Sequence, residues 1–523
     1  MLLLFTVQTL SFAQAPQVKF GSVGHNTEPD ISYTMLGEYD GSIYVWKEPV
    51  VVSNFPLVKE HILKINKETL EETDFEIKFA DDRKSNDKMT KRALPGRRFN
   101  AATPTDHPIL WNGNVYNFFN VEEQFYAVNY GLDGIIKEEP LVLKDIKHYS
   151  DLENFVALAK SSADKKYLLL VTVHRTPQDP KDLLNKKPRK KIYGLHVYDK
   201  NMNLIASGEE ETFASYEEAI VDLDGNAHLL LIENDRKSIS EISLFSIAKD
   251  KEKHSTKVSI TIPASATALY RNFEMHVNSD GDICIATMYF ERQNSKEYYS
   301  GISYFKVDGF SHREIVSKKI AFDQSLYNKG MKPKSDIWED GKVDIKYFFF
   351  DDNDNLVLSG DFTGNRKLDG LDAATGAAFV MVVDKEGNEK WTSLLLKKQI
   401  NLTGTGFYMS SYKLFAINGS YHIIFPDNPK NHEEKPTSLE DLNSLFNINK
   451  STLSYVVIDE KGKLSAPKAI VLTYPNNDKP LKALGTMVFD HMVKLNSNQY
   501  SGIEIASTGV SGNRKKVILL TFP

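Results

Sequence analysis

The chain has 523 residues, of which 41% are hydrophobic and 11% aromatic, and its net charge is −6 from 64 basic and 70 acidic residues. A chain of this length is too long for one ordinary compact core, so it consists of several domains or of one array of repeats. The nearly balanced charge gives no sign of a polyanion-binding or membrane-surface protein, so nucleic acid is not an expected partner.

The N-terminus, "MLLLFTVQTLSFAQAPQV", is an apolar stretch followed by small residues. Its length is typical of a signal peptide, whereas a membrane-spanning helix needs about 20 apolar residues. We expect cleavage near Ala13 or Ala15, which makes residues 1–13 the signal peptide and predicts export to a periplasm or the cell exterior. The alternative is a buried first strand. No later apolar run reaches spanning length, and the single cysteine, Cys284, is interpreted as a core thiol.

One pattern recurs along the chain: a strand, a tight turn of Asp, Asn and Gly, and then an apolar run. Asn-Gly and Asp-Gly between apolar runs predict hairpins, because these residues accept the positive φ that such turns require. A second hairpin follows nearly every first one, so each unit has four strands, A to D. The eight copies are "YDGSIYVW" (39–46), "WNGNVYNFF" (111–119), "ADKKYLLLVTV" (163–173), "LDGNAHLLLI" (223–232), "SDGDICIATM" (279–288), "DNDNLVLSG" (352–360), "INGSYHIIF" (417–425) and "LNSNQYSGIEI" (495–505).

Four-stranded units in series predict an all-β fold, a β-propeller that occupies residues 16–523 as a single domain. Eight blades are favoured, and seven blades, with one unit miscounted, are the alternative. The last unit ends at "KKVILLTFP" without a fourth strand. We expect the early segment "QVKFGSV" to supply that strand and close the ring, because closure removes open sheet edges. The predicted blades lie near 30–80, 106–145, 153–210, 214–262, 271–322, 343–399, 408–473 and 485–523.

The stretch "FFFDDNDNLVLSGDFTG" (348–364) has some features of a calcium-binding loop. Asp351, Asn353 and Asn355 fall at the first, third and fifth positions of such a loop, but Leu356 and Phe362 replace the glycine and the glutamate due at the sixth and twelfth. Plain turns fill the same slot in the other units, so we interpret the segment as a turn. The scattered histidines make no metal-ligand spacing either, and neither a metal nor a cofactor is predicted.

One blade shows a closer resemblance to a known repeat. Residues 360–393, "GDFTGNRKLDGLDAATGAAFVMVVDKEGNEKWTS", contain a Gly-x-Phe stretch before an apolar strand, then Asp-x-x-Gly and a tryptophan. This segment resembles the repeat of secreted bacterial propellers of the SBBP type. The resemblance implies the fold and a secreted setting, and it carries over no catalytic residue. The matching positions are Gly360, Phe362, Asp384, Gly387 and Trp391.

The two faces of the predicted ring differ in their connections. The A–B and C–D turns share one face, called here the turn face, and the B–C loops and D–A links share the other, the loop face. By family resemblance, the loop face is usually the binding face. A short helix is predicted in the last long loop, capped by Ser438 with Asp441 three residues on. The long polar segments of the loop face are 81–108, 175–191, 322–341 and 426–451.

The arginines divide between these faces in the same way, since eleven of the twelve map to the loop face. The planar guanidinium binds carboxylates and phosphates through two hydrogen bonds, so a one-sided set predicts a recognition surface. The alternative is that the loop face has more residues and its arginines are solvated. The candidate binding residues are Arg97, Arg98, Arg175, Arg236, Arg292 and Arg366.

No zinc-protease, phosphate-loop, serine-hydrolase or dinucleotide motif is present, so no catalytic residue is predicted. The leading hypothesis is a secreted, non-catalytic propeller scaffold that binds a protein or an acidic glycan at the cell envelope through its loop face. The alternative is a carbohydrate-active hydrolase or lyase with its site on that face, for which Asp106, His107 and Asp427 are candidates. A pocket lined by paired carboxylates or clustered histidines would favour the enzyme, and a broad arginine-rich face the scaffold.

Overall fold

The computed structural model shows an all-β ring of eight four-stranded antiparallel blades, an eight-bladed β-propeller. The predicted fold class and blade number are therefore confirmed. The structure describes residues 15–21, 24–26, 31–49, 60–80, 108–121, 124–177, 189–235, 238–249, 256–260, 268–293, 296–309, 311, 313–323, 325–326, 338–366, 373–401, 412–438, 441–445, 451–470, 492–507 and 513–523.

Two short strands, β1 (Gln17–Phe20) and β2 (Gly24–Asn26), precede the first blade. Blades 1 to 4 follow in chain order, each described from its inner to its outer strand. Their strands are β3 (Ile31–Tyr39), β4 (Ser42–Pro49), β5 (His61–Asn66) and β6 (Glu72–Glu76) in blade 1; β8 (Ile109–Trp111), β9 (Asn114–Val121), β10 (Gln124–Asn129) and β12 (Leu141–Val142) in blade 2; β13 (Glu153–Ser161), β14 (Tyr167–Arg175), β15 (Lys191–Asp199) and β16 (Leu204–Thr212) in blade 3; and β17 (Ser215–Val221), β18 (Ala227–Asp235), β19 (Ser238–Ile247) and β20 (Thr256–Ile260) in blade 4. Between blades 1 and 2, β7 (Lys78–Phe79) pairs in parallel with β11 (Ile135–Ile136).

Blades 5 to 8 complete the ring. Their strands are β21 (Ala268–Val277), β22 (Ile283–Gln293), β23 (Lys296–Val307) and β24 (Glu314–Ala321) in blade 5; β25 (Trp338–Phe350), β26 (Leu356–Arg366), β27 (Ala373–Val383) and β28 (Glu389–Leu395) in blade 6, with β29 (Gln399–Asn401) also paired to β27; β30 (Lys413–Ile417), β31 (Ser420–Asp427), β32 (Thr452–Ile458) and β33 (Lys468–Ile470) in blade 7; and β34 (Val493–Asn496), β35 (Gln499–Ser507) and β36 (Asn513–Thr521) in blade 8.

The N-terminal strand closes the ring, as predicted. Strand β1 supplies the outer strand of blade 8 by pairing antiparallel with β36, which sets Gln17 opposite Thr521 and Phe20 opposite Ile518. Strand β2 pairs with the start of β36. The first and last strands of the chain are therefore joined in one sheet, and β36 has no open edge over the paired residues.

Buried apolar side chains lie at every junction between neighbouring blades. The described residues form eight such clusters, and each cluster combines side chains from two adjacent blades. At the closing junction, for example, Ile43 of blade 1 packs with Leu519 of blade 8, and both are almost fully buried. Burial of each such side chain contributes about 1.5 to 3 kcal/mol, so the ring is held by sheet-to-sheet packing.

A five-residue turn recurs on the turn face and explains the Asp, Asn and Gly pattern of the sequence. Its first residue accepts hydrogen bonds from the backbone N–H groups of the third and fifth residues at 2.8 to 3.0 Å. The fourth residue has a positive φ, which glycine adopts without strain. The six turns of this type span residues 199–203, 222–226, 278–282, 351–355, 384–388 and 459–463.

The segment around Asp351 forms one of these turns, between β25 and β26, as predicted. The Asp351 carboxylate also accepts a hydrogen bond from the Tyr421 hydroxyl at 2.6 Å. In the blade with the repeat resemblance, Gly387 is the positive-φ residue of its turn. Trp391 in that blade donates from Nε1 to the Glu460 carbonyl at 3.0 Å, which links blade 6 to blade 7.

The helix predicted after Ser438 lies elsewhere. Asp441 N does donate to Ser438 Oγ at 3.3 Å, but residues 441–445 are not helical. The helix α1 (Lys430–Glu434) precedes Ser438, and its N-cap residue is Pro429, whose restricted φ of −53° is compatible with a helix start. Among the described residues, no helix is both long and apolar enough to cross a membrane.

Candidate functional site

The structure describes part of the predicted arginine set. Arg97, Arg98 and Arg236 lie outside the described residues. Arg292 lies near the end of β22 and Arg366 ends β26, and only their backbones are described. Arg175, Arg292 and Arg366 therefore each lie at or near the end of the second strand of a blade, where the B–C connection begins.

Arg175 is engaged by neighbours within blade 3. Its Nε donates to Glu153 Oε2 at 2.7 Å, and its guanidinium lies 4.9 Å from the centre of the Phe155 ring. Arg189 approaches the same carboxylate, with Nη1 3.9 Å from Glu153 Oε2. The positive charge of Arg175 is therefore already paired at this edge of the loop face.

The residues considered for an enzyme on the loop face are described only at Asp427, since Asp106 and His107 lie outside the described residues. Asp427 is 4% exposed, and it accepts hydrogen bonds from Asn428 N at 2.8 Å and Asn431 Nδ2 at 2.7 Å. Burial raises the pKa of its carboxyl. These bonds give Asp427 a structural role, because they tie helix α1 to the end of β31.

A cavity lined by described residues lies on the opposite face of the ring. Between blades 4 and 5, the turn face opens into a cleft of about 920 Å³. The turns 222–226 and 278–282 form its two sides, and Ile220, Ile247 and Met275 contribute buried apolar side chains to its lining. We call this cavity the blade 4–5 cleft.

Five carboxylates line the blade 4–5 cleft: Asp222, Asp224, Asp280, Asp282 and Asp308. Asp280 pairs with Lys385 at 2.5 Å, and Asp282 Oδ2 lies 4.0 Å from Lys306 Nζ. Asp222 is half-buried, which by itself raises a carboxyl pKa, but hydrogen bonds from His228 and Asn226 outweigh this effect and its pKa is lowered. Asp222 is therefore an ionised acceptor at neutral pH, and Asp222, Asp280 and Asp282 already have cationic or hydrogen-bonding neighbours.

Two histidines also line the cleft. His228 is buried, with Nδ1 2.8 Å from Ser246 Oγ and Nε2 3.8 Å from Asp222 Oδ2. His276 stacks on Phe350 and contacts Asp354 Oδ1 through Nε2 at 2.7 Å. Within the described ranges, no group of three or more His, Cys, Asp or Glu side chains is arranged to hold a metal ion.

At its inner end, the cleft meets a group of charged residues on the innermost strands of three blades. Lys160 of β13 lines the cleft, and its Nζ lies 2.9 Å from Glu218 Oε1 of β17. Burial raises the pKa of Glu274 on β21 to about 7, and the negative charge of Glu218 adds to this rise while Lys160 opposes it. Glu274 is therefore able to gain or lose a proton near neutral pH.

The sequence analysis placed the binding face on the loop side and did not identify this cleft. A usable signal was present in the turns. The turns of blades 4 and 6 have Asp in the first position and Asn in the fifth, whereas residues 278–282 have Asn278 first and Asp282 fifth. This reversal distinguishes blade 5 from the other copies of the repeat.

Comparison with known proteins does not identify a family. No protein-family model matches the chain, and no curated protein matches it. The SBBP-type resemblance therefore stays a prediction.

Several solved structures are similar at low identity. One is a prolyl endopeptidase at 12% identity and a TM-score of 0.37, covering 94% of this chain and 54% of that chain, so this chain spans about half the length of the endopeptidase. Another is the polysaccharide lyase Uly1, at 10% identity and a TM-score of 0.37, covering 81% and 91% of the two chains. A third is a protein of unknown function from Dyadobacter fermentans DSM 18053, at 11% identity and a TM-score of 0.31, covering 97% and 99%. Similarity at this level assigns no function to the chain.

Proposed function

We propose that the chain is an exported, non-catalytic propeller scaffold of the cell envelope, which binds its partner through the blade 4–5 cleft. The observation that carries this proposal is the cleft, whose volume of about 920 Å³ is within the range of about 300 to 1,000 Å³ found for ligand pockets. Polar groups from two turns converge there over an apolar lining. The signal peptide predicted for residues 1–13 and the SBBP-type resemblance support export.

The loop face and the cleft favour partners of opposite charge. The arginine set predicted from the sequence would attract a carboxylate or phosphate, and thus an acidic protein or glycan. The cleft is lined by five aspartates, so it repels acidic groups and accepts hydrogen bonds from donors. Substitution of each surface separately therefore identifies the face that binds.

We would test the proposal by crosslinking pull-down from the native envelope fraction. A cleft variant, Asp224→Asn with Asp280→Asn, removes two charges at exposed positions, since the Asp280 side chain is 53% exposed. We expect the intact protein to capture a partner and the folded cleft variant to lose it. Failure of the intact protein to capture anything would contradict the proposal. A matched loop-face variant, which should retain the partner, combines Arg97→Ala, Arg98→Ala, Arg236→Ala and Arg292→Ala.

A second candidate function is a carbohydrate-active hydrolase or lyase. It is favoured by the Lys160, Glu218 and Glu274 group, because a carboxyl with a pKa of about 7 is suited to general acid–base catalysis at neutral pH. We would test it by incubating the protein with polysaccharides and measuring new reducing ends or unsaturated products. Turnover that is lost in Glu274→Gln would establish the enzyme and displace the scaffold proposal.

A further inference from the structure

The turn 278–282 differs chemically from the other turns of its type. In the turn 222–226, Asn226 Nδ2 donates to Asp222 Oδ2 at 2.8 Å, and the same bond occurs between Asn388 and Asp384 at 3.2 Å. In blade 5 the two residue types are exchanged. The backbone bonds of the turn are kept, since Asn278 Oδ1 accepts from Asp280 N at 3.0 Å and from Asp282 N at 2.8 Å.

The exchange leaves one polar atom without a partner. Asn278 is 5% exposed and lines the cleft, and its Nδ2 has no hydrogen-bond partner among the described residues. The Asp282 carboxylate does not accept from it and lies beside Lys306. A buried donor without an acceptor is unfavourable, so a ligand that provides an oxygen at this point gains a hydrogen bond that the empty protein lacks.

The surroundings of Asn278 define the chemistry of that ligand. A simple cation satisfies carboxylates but offers no acceptor to Nδ2, and an acidic group is repelled by the aspartates of the cleft. A hydroxyl group donates to a carboxylate and also accepts from an amide, so it satisfies both. The apolar side chains of Ile220, Ile247 and Met275 provide contacts for C–H groups, which adjoin the hydroxyls of a sugar ring.

We propose that the blade 4–5 cleft binds a neutral sugar, with Asn278 Nδ2 donating to a sugar oxygen and the neighbouring aspartates accepting from its hydroxyls. This inference rests on the proposed function, because it names the ligand class of the same site. Asp224 and Asp280 at the rim are the acceptors available to further hydroxyls.

The exchange of Asp and Asn in the turn 278–282 can be reversed by mutation, which tests the proposal. The double variant Asn278→Asp with Asp282→Asn restores the arrangement of the turn 222–226, keeps the net charge and gives the amide nitrogen a partner within the protein. Its stability should therefore equal or exceed that of the intact protein. The matched control is the reverse exchange in a turn of blade 3 that does not line the cleft, Asp199→Asn with Asn203→Asp, which removes the 3.0 Å hydrogen bond from Asn203 Nδ2 to Asp199 Oδ2.

Binding would be measured by titration calorimetry with maltotetraose, cellotetraose and chitotetraose, and with tetragalacturonate as the acidic comparison. We expect at least one neutral tetrasaccharide to bind the intact protein and the control variant. The Asn278→Asp, Asp282→Asn variant should bind it roughly tenfold more weakly, the effect of losing about one hydrogen bond. The inference is overturned if no neutral tetrasaccharide binds, if only tetragalacturonate binds, or if the double variant binds as tightly as the intact protein.

These outcomes are separable from the proposed function. If the pull-down depends on the cleft but no neutral sugar binds, the sugar inference fails and the scaffold proposal stands. If the intact protein captures no envelope component, the scaffold proposal fails whatever the calorimetry shows.

Discussion

The buried ion pair of blade 6 gives a prediction whose size follows from the structure. Lys397 Nζ lies 2.8 Å from Asp361 Oδ1, and both side chains are 0% exposed. Burial raises the pKa of Asp361 and lowers the pKa of Lys397, and the attraction between the two charges opposes both shifts. No described residue other than Lys397 donates a hydrogen bond to the Asp361 oxygens, so Lys397 is the main compensation for burying this carboxylate.

Replacement of Lys397 alone removes that compensation. We expect Lys397→Met to lower the free energy of unfolding by about 3 to 5 kcal/mol at pH 7, the usual result of leaving a buried charge without its partner. The double variant Asp361→Leu with Lys397→Met should recover most of this loss, because apolar pairs replace buried ion pairs at little or no cost. Denaturant unfolding of the intact protein, both single variants and the double variant gives the coupling energy of the pair.

The pH dependence provides an internal check on this reasoning. In Lys397→Met the folded-state pKa of Asp361 lies above the unfolded value of 3.8. The penalty is therefore absent below about pH 3.8 and grows as the pH rises towards the folded-state pKa. Relative to the intact protein at the same pH, the variant should be less impaired at pH 4 than at pH 7. A double variant as unstable as Lys397→Met, or a single variant that loses less than about 1 kcal/mol, would refute the buried-charge account.

Three further predictions concern other parts of the ring. Burial lowers the pKa of His174 to about 4 and of His196 to about 3, both from 6.5. The free energy of unfolding that depends on these neutral histidines should therefore be fully present above pH 6.5 and fall as the pH drops towards 4. Urea unfolding measured against pH should show a shallower decline in His196→Gln. Arg175→Ala should lower the unfolding free energy by less than about 1 kcal/mol in denaturant titrations, because its ion pair is largely exposed to solvent. Deletion of residues 1–21 should leave β36 with an open edge and cause self-association, visible in size-exclusion chromatography, whereas cleavage near Ala13 or Ala15 keeps β1 and should not.

The ring could be predicted from the sequence because its hairpins depend on local chemistry. In the six five-residue turns, an aspartate or asparagine accepts backbone N–H groups and a positive-φ residue follows three positions later, so most of the hydrogen bonds of the turn are local. Strand β1, which was predicted from "QVKFGSV", supplies the outer strand of the last unit. The helix near Ser438 was placed wrongly because Ser438 and Asp441 bond to each other in a segment whose described residues, 441–445, are not helical, whereas the helix starts after Pro429.

The cleft could not be predicted in the same way, because contacts between blades create it. Asp354 of blade 6, for instance, accepts hydrogen bonds from Ser279 N at 2.9 Å and Ser279 Oγ at 2.7 Å, which fixes the blade 5 turn from a residue 75 positions away. Burial of Asn278 and the elevated pKa of Glu274 likewise depend on the neighbouring blades. Sequence spacing contains no direct record of such contacts, so the sequence alone favours the face with longer loops.

The repeat itself shows where to look for function in a chain of this kind. Turns that serve only the fold need a hydrogen-bond acceptor in the first position. In residues 222–226, 351–355 and 384–388 this acceptor is an aspartate, and its carboxylate also accepts a hydrogen bond from the asparagine side chain in the fifth position. Asn278 still accepts both backbone hydrogen bonds of its turn, but its Nδ2 donates to no described residue. This turn therefore has one side-chain hydrogen bond fewer than those three turns, and its backbone geometry gains nothing in return. The proposed sugar oxygen would provide the acceptor that Asn278 Nδ2 lacks. If Asn278→Asp with Asp282→Asn weakens sugar binding as expected, the exchanged turn is a better guide to the binding site in this ring than the longest loops.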